Sequence, residues 1–253
     1  MDEEMIGHWN EDAPNYGSII ADELASFRVS AWQQLFREKM PAHAETVLDI
    51  GCGPGFLSIV VATLGYRVTG IDSSPEMLKL AEKHALALGQ QTKQIVWREL
   101  DVADLGEAFP PASFDVIMSR NVTWTLRDPA KTYRDCYQLL KPGGALFVFD
   151  ANWHLPLFEA HLRAETKRRY QLCMERHGDA YESKTPIQTE LDVRKLPLSS
   201  IQRPEWDEQA LRACGFHDIE VLSDITRELW DEKEKLLYGA TPLFGVFSKK
   251  ETS

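Results

Sequence analysis

The sequence predicts an α/β fold: a single, mostly parallel seven-stranded sheet with helices on both faces. Three observations carry this. Short β-branched runs alternate with helical ones, a glycine-spaced turn follows the first run, and an acid closes the second. At 253 residues, 43% hydrophobic and 26% charged, one domain with an insertion accounts for the length.

Val47 to Ile50 (VLDI) has the length and composition of a buried parallel strand, and FLSIVVATL at 56–64 that of an apolar helix. RVTGID at 67–72 leads into a helix at 75–88. That helix is marked by Ser73 or Ser74 as cap, Pro75 in the first turn, a face of Met77, Leu80, Ala81, His84 and Leu88, and Gly89 as stop. IVWREL at 95–100, FDVIMS at 114–119 and ALFVFD at 145–150 supply three more strands, with a helix at 129–140 before the last. After Asp150 the rhythm breaks. Residues 155–200 are polar and helical, then turn-rich, as expected of an insertion or lid over the sheet. A helix at 205–213 closed by Gly215, a strand from His217 to Leu222, an amphipathic segment around Trp230 to Tyr238, and LFGVFS at 243–248 restore the pattern. Residues 1–40, with Trp9, Tyr16, Phe27, Trp32 and Phe36, form an N-terminal helical extension. The expected organisation is one domain over 1–253: a cap at 1–40, a core at 41–150, a lid at 151–200, and the C-terminal part of the sheet at 201–253.

A net charge of -11 opposes a phosphate-binding surface, because sequence-independent nucleic-acid affinity comes from clustered Lys and Arg. No nucleic-acid partner is expected. Cys52, Cys136, Cys173 and Cys214 are widely separated without a C-x-x-C pair, which fits reduced thiols in the cytoplasm better than a zinc site or a disulfide framework. The start MDEEMIGHWNED lacks a basic and then apolar leader, and the longest apolar stretch, near 56–66, is too short to span a bilayer.

The turn itself reads Gly51-Cys52-Gly53-Pro54-Gly55. Glycines lack the β-carbons that hold a ligand off the backbone, and the helix that follows presents free N–H groups to it. A nucleotide-like ligand is expected there. The spacing is G-x-G-x-G, whereas dinucleotide-binding dehydrogenases use G-x-G-x-x-G; the sixth position here is Phe56. With Asp49 two residues before the first glycine, VLDIGCGPG resembles motif I of the class I S-adenosylmethionine-dependent methyltransferases. The resemblance continues in LDV at 100–102, FDVIMSRNVTW at 114–124, LLKPGG at 139–144 and WNEDAPNY at 9–16, and so covers roughly the first 150 residues. It is greatest to the small-molecule branch that includes ubiquinone and menaquinone biosynthesis methyltransferases. It implies a Rossmann-like fold, S-adenosyl-L-methionine as cofactor with S-adenosyl-L-homocysteine as product, and a small-molecule methyl acceptor.

Asp72, 21 residues after Gly51, stands where nucleotide-binding α/β folds place an acid for ribose hydroxyls; the alternative is that it caps the next helix. The resemblance puts Asp101 and Val102 on the adenine, with Asp104 a competing acid, and adds Ser73 and Met77 to the same contact, Met77 equally fitting a core position. It also sets Ser119 and Arg120 beside the methionine end, with Trp9 and Tyr16 closing over it from the N-terminal helix or simply packing there. His154 with Asp150 lies just beyond the fifth strand, where a base for a hydroxyl or protonated amine would be needed, although a loop histidine is also a common packing residue. Trp124 and Trp153 are candidate walls for the acceptor or core residues.

SRNVTW after the fourth strand is not the Asn/Asp-Pro-Pro-Tyr/Phe pattern of many N-methyltransferases. The acids of metal-dependent catechol-type enzymes are incomplete, so no metal is expected. Two other readings stand beside methyl transfer. One is a non-catalytic or regulatory protein that kept the cofactor fold. The other is an NAD(P)-dependent dehydrogenase, suggested by Tyr137 and Lys141 in Y-x-x-x-K spacing.

Overall fold

The computed structural model describes residues 3–178 and 193–252, so the part of the expected lid at 179–192 lies outside the described residues. Seven strands form one sheet: β1 (Thr46–Ile50), β2 (Arg67–Asp72), β3 (Ile95–Glu99), β4 (Phe114–Arg120), β5 (Leu140–Asp150), β6 (His217–Leu222) and β7 (Phe244–Lys249). Their order is β3-β2-β1-β4-β5-β7-β6, parallel except that β7 runs antiparallel to both β5 and β6. The chain winds outward from β1 to β3 and then crosses to β4. A crevice is left at the carboxyl ends of β1 and β4, where open α/β sheets bind ligands.

Strand alternation divides the core. Val47, Val116, Met118, Phe147 and Phe149 face one side with Trp32, Phe36, Phe56 and Val60; Leu48, Ile50, Ile117, Leu146 and Val148 face the other with Tyr133, Leu139 and Leu211. Among the described residues the helices are α1 (Glu3–Leu24), α2 (Arg28–Lys39), α3 (Phe56–Thr63), α4 (Pro75–Leu88), α5 (Leu105–Ala108), α6 (Pro129–Leu139), α7 (Ala160–His177), α8 (Glu205–Ala213), α9 (Thr226–Leu229) and α10 (Glu232–Tyr238). Local caps explain several boundaries. Ser74 Oγ accepts from Met77 N at 3.1 Å to start α4, and Asp128 Oδ1 accepts from Lys131 N at 2.8 Å to start α6.

The expected N-terminal helical extension is two helices, α1 and α2. α1 lies across α4: Gly17 leaves no room for a side chain against Leu80, whose Cδ1 is 2.7 Å from where a Cβ would sit, and Ser74 Oγ donates to Asn10 Oδ1 at 2.7 Å. The amphipathic segment around Trp230 also splits. Trp230 is extended, and Asp231 opens α10 with a capping box to Glu234, whose two acids both pair with Arg28 of α2. α7, the described helix of the insertion, buries Cys173 against Leu237 of α10.

Arg203, 1% exposed, joins the insertion's return to the sheet. It donates from Nη1 to Asp150 Oδ2 at 2.8 Å, from Nε and Nη2 to Asp207 at 2.8 Å each, and from Nη2 to Thr123 Oγ1. Tyr133 adds its hydroxyl to Asp207, and the guanidinium lies over the Phe244 ring at 5.0 Å. Arg203→Met should therefore strand two buried carboxylates and lower stability by about 3–5 kcal/mol in urea unfolding. A loss under about 1 kcal/mol would show the network to be ornamental.

Candidate functional site

Gly51, Gly53 and Gly55 all take positive φ, at +60°, +52° and +92°, which only glycine adopts readily. Their side-chain positions differ in use. A Cβ on Gly51 would lie 2.5 Å from Val122, and one on Gly55 would lie 2.9 Å from Trp97 and 3.0 Å from Ala81. These two glycines are small for packing. Gly53 alone opens onto space, its nearest neighbour there being Tyr16 Cε1 at 3.5 Å. The expectation that all three clear room for a ligand is thus narrowed to one.

Asp72, at the end of β2, accepts from Gly53 N at 2.8 Å and from Ser74 N at 2.9 Å. It ties the glycine loop to the start of α4, while Ser74 is the cap of that helix. Oδ2 accepts the first of these bonds and Oδ1 the second, and the Ser73 backbone also hydrogen-bonds to the carboxylate. Beside the loop a cleft is lined by Tyr16, Ile20, Asp49, Gly51, Cys52, Gly53, Pro54, Phe56, Leu57 and Arg120.

Asp49 and Arg120 give this cleft its charge. Asp49 is 2% exposed and accepts from Ser58 Oγ at 2.7 Å; burial pushes its carboxyl up to about 7, against the Ser58 hydrogen bonds. Arg120 lies over the Phe56 ring at 4.6 Å and pairs with Glu23 of α1 at 2.7 Å. Tyr16 hydrogen-bonds to the same guanidinium. Glu23, Phe56 and Ser58 escaped the sequence reading. Ser58 carries a usable signal, since it lies on the first turn of the helix that the loop introduces.

The remaining expected residues do not line this cleft. Asp101 accepts from Ala103 N at 2.9 Å and Val102 is buried beside it, Leu100 N donating to Asp72 O at 3.0 Å. Ser73 is half-buried between Asp72 and the cap. Met77 is 2% exposed, among the largest fully buried side chains. Ser119 is also buried, level with Ile50 across β1 and β4.

The structure separates the pair expected to act as base and partner. Asp150 makes no hydrogen bond to His154. Its Oδ1 accepts from Ala151 N at 2.9 Å and Trp153 Nε1 at 3.0 Å; its Oδ2 accepts from Arg203, Thr123 and Trp124 N. Five donors leave it no part in moving a proton. Instead it fixes both expected wall residues, Trp124 and Trp153. His154 is buried, packs edge-on to Trp124 at 4.6 Å, and has neither ring nitrogen partnered among the described residues. Burial pushes its imidazole down to about 4, against a smaller pull from Asp150, so it is neutral and weakly basic. Trp153 packs instead toward Tyr238 at 5.7 Å and Trp230 at 6.5 Å.

The Y-x-x-x-K pair sits at the opposite edge of the sheet. Lys141 Nζ donates to Asp115 and Thr46, which open β4 and β1, and Tyr137 packs on Phe216 at 5.0 Å. Among the described residues no group of three or more His, Cys, Asp or Glu is arranged to hold a metal.

Residues 48–148 match the methyltransferase domain family. Over 253 aligned positions, 92% of this chain and 91% of the relative, the protein is 40% identical to a ubiquinone biosynthesis O-methyltransferase of Xylella fastidiosa. The chain belongs to the class I S-adenosylmethionine-dependent methyltransferases. A second Xylella fastidiosa strain has a protein of the same name that is 35% identical over 254 positions, with the same coverage. In fold, the methyltransferase is similar to phosphoethanolamine N-methyltransferase 2 of Haemonchus contortus with bound S-adenosyl-L-methionine, at TM-score 0.59 and 20% identity over 88% of this chain and 52% of that one. A putative S-adenosylmethionine-dependent methyltransferase of Listeria monocytogenes gives TM-score 0.57 at 19% identity over 88% and 99%. The methyltransferase carries a methyl group from S-adenosyl-L-methionine to a small molecule and leaves S-adenosyl-L-homocysteine.

Asp49 makes stability pH-dependent. Its folded carboxyl titrates near 7 and its unfolded one near 3.8, so between these values only the folded state holds the proton. Stability is then highest below the unfolded value and falls as pH rises through 7. Asp49→Asn should remove this slope and raise the cofactor-free melting temperature at about pH 8 relative to about pH 5. Thermal unfolding across that range checks it; parallel pH profiles in the two proteins would contradict it.

Proposed function

We propose that this methyltransferase acts on a hydroxyl oxygen of a small, flat molecule held between α1 and the segments that follow β4 and β5. The observation that carries the reading is a series of packed aromatic rings that runs on from the cleft. The Tyr16 ring, beside Gly53, is 6.0 Å from Trp9; Trp9 is 6.4 Å from Trp124; and Trp124 is 4.6 Å from His154. Met5, Val193 and Leu196 pack around the same tryptophans. Such walls favour a planar acceptor. Transfer to oxygen is supported by the relatives named O-methyltransferases. The net charge of -11 fits a small-molecule acceptor better than a nucleic acid. No helix among the described residues is long and apolar enough to cross a membrane.

The residues fit the cofactor. Gly53 leaves room for a ligand against its backbone, and the acceptor-only carboxylate of Asp72 at the loop suits a ribose diol. Asp101 and the Val102 N–H are assigned to the adenine, with Ser73 and Met77 supporting that side. Arg120 and Tyr16, with Ser119 behind them and Trp9 above, are assigned to the methionine carboxylate, and Asp49 to the methionine ammonium. S-adenosyl-L-methionine supplies an already activated methyl group, so the chain's task is alignment and exclusion of water. Orientation alone is worth roughly 7–11 kcal/mol of the barrier. Trp124 and Trp153, fixed by Asp150, would hold the acceptor's plane.

Gly53→Val should abolish S-adenosyl-L-homocysteine binding in calorimetry. Asp72→Ala should weaken it by about one to two decades, the loss of a charge-assisted bond worth roughly 1.5–3 kcal/mol. Unchanged affinity in both variants, or binding of NAD in preference to the homocysteine, would overturn the assignment.

A further inference from the structure

The inward face of α1 carries a second histidine that the cofactor assignments leave unused. Counted from Met5, His8, Trp9, Asp12 and Tyr16 stand three, four, seven and eleven residues on, which puts them along one side of the helix. Tyr16 lines the cofactor cleft and Met5 packs with Trp124, Val193 and Leu196, so this side of α1 borders both the cleft and the aromatic cluster. His8 is 4% exposed, and both its ring nitrogens are buried without a hydrogen-bond partner among the described residues. A buried polar group left unpaired is costly, and a ligand that bonds to it relieves that cost. Its ring meets Trp9 edge-on at 5.3 Å. One turn further along lies Asp12, 8% exposed, whose carboxyl is raised by burial and pulled back by the Asn15 amide and by His8.

We infer that His8 is the proton acceptor of the reaction, with Asp12 as the counter-charge that steadies it and His154 as a hydrogen-bonding contact for the acceptor. The inference rests on the oxygen-acceptor reading above. In the step, the acceptor's O–H bond breaks and its proton passes to the free nitrogen of neutral His8. The oxygen's electron pair forms the O–CH3 bond, and the S–CH3 bond breaks with its pair retained on sulfur. An ether, a neutral thioether and imidazolium result. One positive charge disappears from sulfur and one appears on His8, so the site's net charge does not change. Asp12 lies one turn along the same helix from the new cation. Of the other titratable groups near these rings, burial holds His154 down to about 4 and Asp150 is committed to Arg203.

A ring hydroxyl made acidic by a nitro group reports the proton directly, because nitrophenol and nitrophenolate absorb differently. The full-length protein is saturated with S-adenosyl-L-homocysteine, so that no transfer occurs, and mixed with 4-nitrophenol, 4-nitrocatechol or nitrohydroquinone below the free ligand's pKa. The parent should show the nitrophenolate spectrum. His8→Gln and His8→Ala should not, while keeping S-adenosyl-L-homocysteine affinity within about twofold. With the cofactor supplied, the His8 variants should lose about 100-fold or more in turnover on the corresponding unsubstituted hydroxyls and much less on the nitro forms. A parent signature that both His8 variants retain overturns the role of His8 alone. No signature and no turnover in the parent with any ring hydroxyl, while the homocysteine still binds, overturns the oxygen-acceptor reading and this one with it.

Discussion

The carboxylate of Asp150 organises the edge of the sheet on which the chemistry depends. It ends β5, is fully buried, and accepts from five donors drawn from three stretches of chain: Thr123 and Trp124 after β4, Ala151 and Trp153 after β5, and Arg203 from the insertion's return. A buried ion pair contributes little net stability against an apolar replacement of the same shape. Its strength is in geometry, because leaving any partner unpaired is expensive. The residues after β4 and β5 would otherwise be loops free to drift; tied to one carboxylate, they hold Trp124 and Trp153 in fixed orientations beside the cleft.

On the other side of the cleft the constraint is conformational. Three left-handed glycines turn the chain sharply between β1 and α3, and Asp72 holds the turn through Gly53 N. Gly51 and Gly55 admit Val122 and Trp97, which lock the loop from below, so Gly53 can remain open. The same economy of space buries Asp49, whose raised carboxyl weakens the empty protein at neutral pH. In the proposed site, the acid that the fold alone does not favour would face a cationic ligand, a trade between stability and function.

Local signals made most of the fold legible. The helix at 205–213 and the strand from His217 to Leu222 match the structure to the residue, because composition, a following glycine and periodicity act within a few positions. The glycine turn and the acid at the end of β2 were equally readable. What failed were pairings set by the fold. Asp150 and His154 are four residues apart, yet the carboxylate is taken up by Arg203, 53 residues later, and by Trp153 lying between them in sequence. Tyr137 and Lys141 have a catalytic spacing but emerge at the opposite edge of the sheet. His8 gave no signal beyond its place one turn before Asp12; only its burial without a partner marks it.

We propose that the cofactor sits between the glycine loop and α1, and that Asp150 holds the far wall rigid before any ligand arrives. Backbone hydrogen exchange with and without S-adenosyl-L-homocysteine tests both parts at once. Residues 51–56 and 9–20 should slow markedly on binding, while 123–126 and 150–153 should be protected equally in both states. Exchange in α1 that ignores the ligand, or a far wall that becomes protected only when ligand binds, would contradict it.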